Sequence, residues 1–306
     1  MDALKYPKII PELDYSGKKQ TNVNKSSFKY WLLSTFFYSR VEKQDKIYLK
    51  LRSGKLHYMP LFTMTKALAL YNDGDIKGFE KVGKALIESM ESQGSMNGWK
   101  HENLLQLPGY PKKYSSYSCL NNGRGLGVLV RYYDLHPSKD LLNKIKGVLK
   151  TFEVSSSKGG VLKPSGEYLE YSWGDNSPVV WNGFMSALVG LHDSYLHGPD
   201  ETKDKSKELF LTGIKKLINQ KDKLFYEGKI ISWIRYDDNK LYFADGPYMN
   251  IEQRQLNYLK QSKLLTKKQK QILNQTHKKM KQIHKQNKNK ANLYEYFYFI
   301  KKRLMR

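Results

Sequence analysis

Two acids and two tyrosines fall within five positions: Glu167, Tyr168, Glu170 and Tyr171. Carboxyl and phenol groups become proton-transfer groups once burial and neighbouring charges tune them. Alternate residues of a strand share a face. Tyr168 and Glu170 are therefore expected on one side, and Glu167, Leu169 and Tyr171 on the other. A breaker follows, Gly174-Asp175-Asn176-Ser177-Pro178. Val179 to Leu196 is then apolar nearly all round, the pattern of a buried helix. A polar-aromatic strand feeding a buried helix suits a reaction site. It is also a common way to end a hairpin, and the local pattern leaves both readings open.

The rest of the chain reads as the frame for this stretch. Residues 1 to 27 are polar, with Pro7, Pro11 and Gly17, and predict an irregular arm. Residues 28 to 58 alternate in places and predict a strand pair joined at Ser53-Gly54. From Pro60 the spacing turns helical (Leu61, Met64, Ala67, Leu68, Tyr71) and ends at Asn72-Asp73-Gly74-Asp75. Phe79 to Met90 predicts a second helix, and Gly94 to Tyr117 a loop. Ser118 to Leu135 predicts a buried helix and Ser138 to Phe152 an amphipathic one. Gly159 to Trp173 predicts a hairpin. Thr202 to Asn219 is amphipathic, Leu224 to Phe243 strand-like, Tyr248 to Lys260 helical, and Thr266 to Arg303 holds one or two more helices. Buried helix, amphipathic helix and loop thus recur. The expected fold is mainly α, an incomplete α/α toroid with short β-hairpins at one end. Two regions are expected: an arm with a β-hairpin over 1–55, and the toroid over 56–306.

The chain has 306 residues and a net charge of +24, from 53 basic and 29 acidic residues. Such a field attracts polyanions: nucleic acid, an anionic membrane surface or an acidic polysaccharide. Zinc-finger spacing, an RNA-recognition signature and a recognition helix are all missing from the sequence, so nucleic acid is not expected. No run approaches the roughly 18 apolar residues of a membrane span. The first residues carry no basic-then-apolar leader. The single cysteine, Cys119, rules out an intrachain disulfide and fits a reducing compartment. The expected location is the cytoplasm, with peripheral attachment to a membrane left open. His57, His101, His192 and His197 lack metal-ligand spacing and are read as structural or surface groups. No metal is expected.

Several motifs resemble those of the D-glucuronyl C5-epimerases. Tyr117-Ser118, Gly123 and Leu129-Val130-Arg131 are similar to one helix of that family. Glu167-Tyr168-Leu169-Glu170-Tyr171 resembles its Trp-Tyr-Glu-Glu-Tyr strand. Asn182-Gly183-Phe184-Met185, with Leu188 to Asp193 after it, matches the Asn-Gly-Phe-Met helix almost residue for residue. Ile234-Arg235-Tyr236-Asp237 resembles the Tyr-Asp element, and Tyr248 with Gln255-Leu256 a later helix start. The similarity runs over roughly residues 55 to 260 and corresponds to the family's helical C-terminal catalytic domain. The β-rich portions that precede it in the family are reduced to the first 55 residues or absent.

The resemblance implies an α/α toroid that inverts C5 of D-glucuronate units in a polysaccharide, giving L-iduronate, without a cofactor. It puts the functional tyrosines at Tyr171, Tyr236 and Tyr248, with Glu170 as acidic partner. C5 lies α to a carboxylate, so its proton is a very weak acid. The catalyst must neutralise that carboxylate and hold two proton-transfer groups on opposite faces of the ring. Glu170 or Tyr171 is expected on one face and Tyr248 on the other, with Tyr236 assisting. Arg124 and Arg235 are candidates for the carboxylate clamp, since a guanidinium matches a carboxylate in two hydrogen bonds. Asn121, Asn122 and Arg124 occupy the polar helix start of the family. Trp99 occupies a Gly-Gly-Trp position, where a ring face can stack on a sugar. Tyr117, Asn182 and Gln255 complete the expected substrate contacts, although Asn182 equally suits a helix cap.

The departures are specific. Met249 and Glu252 stand where the family has histidines, and Asn239 where it has an arginine. These changes leave two further readings open: a uronate polysaccharide lyase on the same scaffold, and a non-catalytic polyanion-binding protein. The expected partner is an acidic polysaccharide or glycan, with a homodimer left open.

Overall fold

The computed structural model describes residues 38–51, 55–102, 115–227, 232–238, 244 and 246–287. The expected arm over 1–27, the Ser53-Gly54 turn, Asn239 and the chain beyond residue 287 lie outside the described residues. Eight α-helices are found among the described residues, with a few short strands, so the protein is mainly helical.

A three-stranded antiparallel sheet opens the described chain: β1 (Tyr38–Lys43), β2 (Lys46–Leu51) and β3 (Leu56–Tyr58). The expected pair across Ser53-Gly54 is β2–β3. The β1–β2 hairpin was not expected from the pattern. Its two-residue turn is Gln44-Asp45, both at positive φ (51° and 59°). Turns of that hand are usually written with Asn and Gly, so their residue types gave no signal. Helix α1 (Pro60–Asn72) starts with proline at its first position and α2 (Ile76–Glu88) is capped by Asp75. Gly74, at φ +79°, makes the turn between them.

The region read as a loop, Gly94 to Tyr117, is partly paired. β4 (Glu91–Gln93) pairs with β5 (Met96–Gly98), and β6 (Lys100–Glu102) with β7 (Ser115–Tyr117). These strands are three residues long, too short for a hydrophobic alternation to declare them. Helices α3 (Cys119–Leu135) and α4 (Lys139–Thr151) then begin at Ser118 and Ser138, whose hydroxyls accept from the backbone N–H three residues on. α5 (Trp181–His197) and α6 (Asp200–Asn219) form the next pair. β8 (Phe225–Glu227) pairs with β9 (Ser232–Ile234), and α7 (Gly246–Leu259) and α8 (Lys267–Asn287) follow.

The expected strand over Glu167 to Tyr171 is not one. Only an isolated bridge, Leu162 to Tyr168, remains of the hairpin, closed by a turn with Gly166 at φ +97°. Alternation of faces therefore does not apply. Glu167, Tyr168, Leu169, Glu170 and Tyr171 are all buried. Tyr168 packs against Phe152 and Phe184 and donates to the Leu209 carbonyl at 2.9 Å, so it is a core residue. Glu167 is held by Ser165 and Gln220.

Alternate helices pack in sequence: α1 on α3, α3 on α5, α5 on α7. Each carries its successor, α2, α4, α6 or α8, against it. The closest pair is α3–α5. A Cβ on Gly190 of α5 would lie 1.8 Å from the Gly123 carbonyl oxygen, and one on Gly123 would lie 2.6 Å from the Ala187 Cα. The backbones touch, which only residues without side chains permit. At the far end, buried Arg131 of α3 forms an ion pair with buried Asp193 of α5, and its guanidinium lies 5.3 Å from the Tyr71 ring of α1.

Gly190→Ala sets a methyl into a backbone carbonyl, so the helices must separate. The expected cost is about 3 kcal/mol, the upper range for overpacking, read as a lowered denaturant midpoint with unchanged slope. A loss under 0.5 kcal/mol, roughly that of an ordinary surface change, would contradict the backbone contact.

Candidate active site

The N-terminal ends of α3, α5 and α7 meet the 170–171 loop, β6 and the segment 235–238. α5 has no side-chain cap at its start, which lies at Val180, so Asn182 sits inside the first turn and is not the cap. The 235–238 segment closes that end instead. Trp181 N–H donates to the Tyr236 carbonyl at 3.0 Å, Asp238 N–H donates to Val179 at 3.0 Å, and Val179 N–H donates to the Asp238 carboxylate at 2.7 Å. These bonds fix Tyr236 over the start of α5.

There the three tyrosines come together. The hydroxyls of Tyr171 and Tyr236 are 3.3 Å apart. The rings of Tyr236 and Tyr248 meet edge-on, with centroids 5.0 Å apart. Tyr171 also hydrogen bonds to the Glu170 carboxyl. Among the described residues one Glu170 oxygen, Oε2, is buried without a hydrogen-bond partner, and a Cβ on Gly183 would lie 2.3 Å from it. The glycine of Asn182-Gly183 thus gives room for the carboxyl.

Burial raises the Glu170 pKa to about 8, against the opposing effects of the Tyr171 hydrogen bond and the Arg124 guanidinium. Tyr236 is pushed well above the usual phenol value by burial and then by the Glu170 charge. Its hydroxyl therefore stays protonated near neutral pH and can donate. Arg124 is buried, and its Nη1 donates to Thr65 Oγ1 at 2.7 Å.

Sequence reasoning missed His101. Its ring, on β6, meets Tyr171 edge-on at 5.0 Å, and burial lowers its pKa to about 4, so it is neutral at pH 7. No spacing signal could have found it, because β6 reaches Tyr171 only through the fold. Trp173 lies 6.4 Å from Tyr171, ring to ring.

Other expected contacts lie around this cluster with structural partners. Trp99 is buried over Gly125 and donates through Nε1 to the Leu86 carbonyl at 3.1 Å. Asn122 accepts from Trp99 N–H at 3.0 Å and donates to Thr151 Oγ1 at 2.9 Å. Tyr117 donates to the Glu91 carbonyl at 3.0 Å. Asn121 donates to the Lys100 carbonyl at 3.3 Å. Gln255 bridges to the Asn182 carbonyl at 3.0 Å and to Ser186 Oγ at 2.6 Å. The Arg235 guanidinium lies 5.9 Å from the ring of Tyr226 on β8. Asn121 Oδ1, Asn182 Oδ1 and Gln255 Oε1 are buried acceptors without a donor among the described residues. Among those residues no group of three or more His, Cys, Asp or Glu is arranged to hold a metal.

A family model described as the D-glucuronyl C5-epimerase C-terminus matches residues 93–282. The chain belongs to that family. The match starts after α2 and ends within α8, so it begins later and runs further than the 55 to 260 expected from motifs. A D-glucuronyl C5-epimerase of Caenorhabditis elegans is 27% identical over 150 residues, which is 42% of this chain and 23% of that relative. The chain thus spans less than a quarter of the relative's length in this match. All the elements that carry the tyrosine cluster lie within the matched region. Among the described residues no helix is long and apolar enough to cross a membrane.

Glu170 has a higher pKa folded than unfolded, so the folded chain holds its proton to higher pH. Its contribution favours folding at low pH and is lost as pH rises from about 4.5 towards 8. Glu170→Gln should therefore gain stability relative to the parent as pH rises, by about 1.4 kcal/mol per pH unit between pH 5 and 8. Comparing the two proteins cancels the histidines, which act in the opposite sense. Parallel stability curves would show an unshifted carboxyl.

Proposed function

We propose that the protein is an isomerase of the C5-epimerase type that acts on uronate units of an acidic polysaccharide. The helix chain α1–α3–α5–α7 would be the inner layer of an incomplete α/α toroid, with α2, α4, α6 and α8 outside. The observation that carries the reading is the hydrogen-bonded series Tyr236, Tyr171, Glu170 beside Tyr248, in a chain that belongs to this family.

The chemistry follows from that order. Ionised Glu170 takes the hydroxyl proton of Tyr171 while the Tyr171 oxygen takes the proton from C5. The C5–H electron pair moves into the C5–C6 bond and gives an aci-carboxylate. Arg124, which already offsets the Glu170 charge, supplies the positive charge that this species requires. Tyr248 returns a proton to C5 from the opposite face. Tyr236 touches both other tyrosines and stays protonated, so it donates to the Tyr171 oxygen and links the two proton-transfer groups. Arg235, directed towards β8, is less suited to the clamp than Arg124. His101, neutral and edge-on, holds the Tyr171 ring without adding charge.

Lyases share the first step but expel the 4-O substituent, leaving an unsaturated, ultraviolet-absorbing end. Preserved chain length with inverted C5 separates the two outcomes. Incubation with heparosan in deuterated water, followed by NMR at C5, measures the abstraction directly. Y171F and Y248F should each lower exchange by at least about 100-fold, the scale of a positioned acid or base, and Y236F by less. The parent rate should rise with pH through about 8, as Glu170 ionises, and E170Q should lose that rise. Exchange unchanged in all three tyrosine variants would refute the reading.

A further inference from the structure

Between Glu252 and Glu295 the sequence contains no acidic residue. Helix α8 occupies most of that interval and carries seven lysines, Lys267, Lys268, Lys270, Lys278, Lys279, Lys281 and Lys285. Its inward face is apolar, with Leu273, Met280 and Ile283 buried. Lys278, Lys281 and Lys285 follow at helical spacing on the exposed side. Like charges at that spacing destabilise a helix.

A second helix adds to the same cluster. Lys260, at the end of α7, reaches Asn274 Oδ1 and His277 Nδ1 of α8, each at 3.2 Å. Burial, and then the charges of Lys281 and Lys278, lower the Lys260 pKa. Lys260 is thus affected by neighbouring cations and, among the described residues, by no acid. Among the described residues Lys279 pairs with Glu227, whereas Lys260, Lys278, Lys281 and Lys285 form no ion pair.

Position links the cluster to the tyrosines. α8 runs antiparallel to α7: Lys260 meets His277, while Gln253 meets His284 at 2.8 Å. The stripe from Lys267 to Lys285 is about 27 Å long at 1.5 Å per residue. It rises towards the end of α7 that carries Tyr248, and α8 also packs on β9, next to Tyr236.

We propose that the exposed face of α8, with Lys260, docks an acidic polysaccharide chain outside the tyrosine cluster and aligns it with that end. This rests on the uronate-polymer reading of the site. An acidic lipid surface is the less suited occupant, because the large apolar residues of α8 point inward. The exposed ones of the described chain, Leu56, Ile76, Leu135, Leu196 and Tyr226, lie on other elements. The neutral polar residues between the lysines, Gln271, Gln275 and Gln282, suit a hydroxyl-rich polymer.

The test compares two variants of equal net charge: K260Q/K278Q/K281Q on the patch, and K77Q/K81Q/K84Q on exposed positions of α2. Affinity for immobilised heparosan is measured against salt concentration. The patch variant should bind roughly 10-fold more weakly at low salt, with a log–log salt slope shallower by about two to three, as for three lost phosphate-type contacts. The α2 variant should stay within 2-fold of the parent. Equal losses in both variants, or none in either, overturn the proposal. So does binding of the parent to phosphatidylserine vesicles, lost in the patch variant, without binding to the polymer. Affinity is read without turnover. A parent that exchanges no C5 proton, yet loses polymer binding only in the patch variant, overturns the epimerase reading and supports the docking surface.

Discussion

The backbone contact between α3 and α5 is the constraint on which the rest of the structure depends. Gly123 and Gly190 let the two helices touch main chain to main chain. That approach sets Asn121 and Arg124, at the start of α3, beside Asn182 and Gly183, at the start of α5. The space left at Gly183 receives the Glu170 carboxyl. A side chain at Gly183 would meet that carboxyl. At the opposite end the same pair of helices is tied by Arg131 and Asp193, both buried. A buried pair adds little net stability but is costly to break on one side, so it fixes which residues face each other.

With that frame in place, the electrostatics of the cluster follow from burial. A carboxyl taken out of water prefers its neutral form, and an imidazole taken out of water loses its proton. Glu170 and His101 are displaced in opposite directions, towards neutrality in both cases. The protein carries a large positive charge, and Arg124 is the cation that offsets the Glu170 charge among the described residues. Much of the remaining positive charge lies on outer faces such as that of α8, where water and salt screen it. Burial makes the protonation state of the Glu170 carboxyl sensitive to conditions near neutral pH.

The ends of the helices matter as much as their packing. α5 starts without a capping side chain, and the N–H of its first residue, Trp181, is satisfied by the 235–238 segment. That segment carries Tyr236. The need to satisfy buried N–H groups therefore brings a functional residue onto the helix start from more than fifty positions away in sequence. The family match includes both partners of this arrangement.

Local signals along the chain account for the helices and for the residue types at the site. The spacing of apolar positions, Pro60, Ser118 and Ser138 located the helix starts to within a few residues, because these signals are local. The Asn182-Gly183-Phe184-Met185 motif, with the ordered tyrosines, was enough for the family resemblance. The remaining features arise from contacts between distant parts of the chain. Glu167 to Tyr171 carried the composition of a strand but is bridged at one residue, Tyr168 to Leu162, and a strand exists only through continued pairing. Gln44-Asp45 and the three-residue strands β4 to β7 have no period long enough to read. His101 was indistinguishable from a surface histidine, while Trp99, Tyr117 and Asn122 proved to have partners in the core. Which polar side chains meet, and how far burial shifts their pKa values, depends on the close approach of α3 and α5, and no local pattern records that distance.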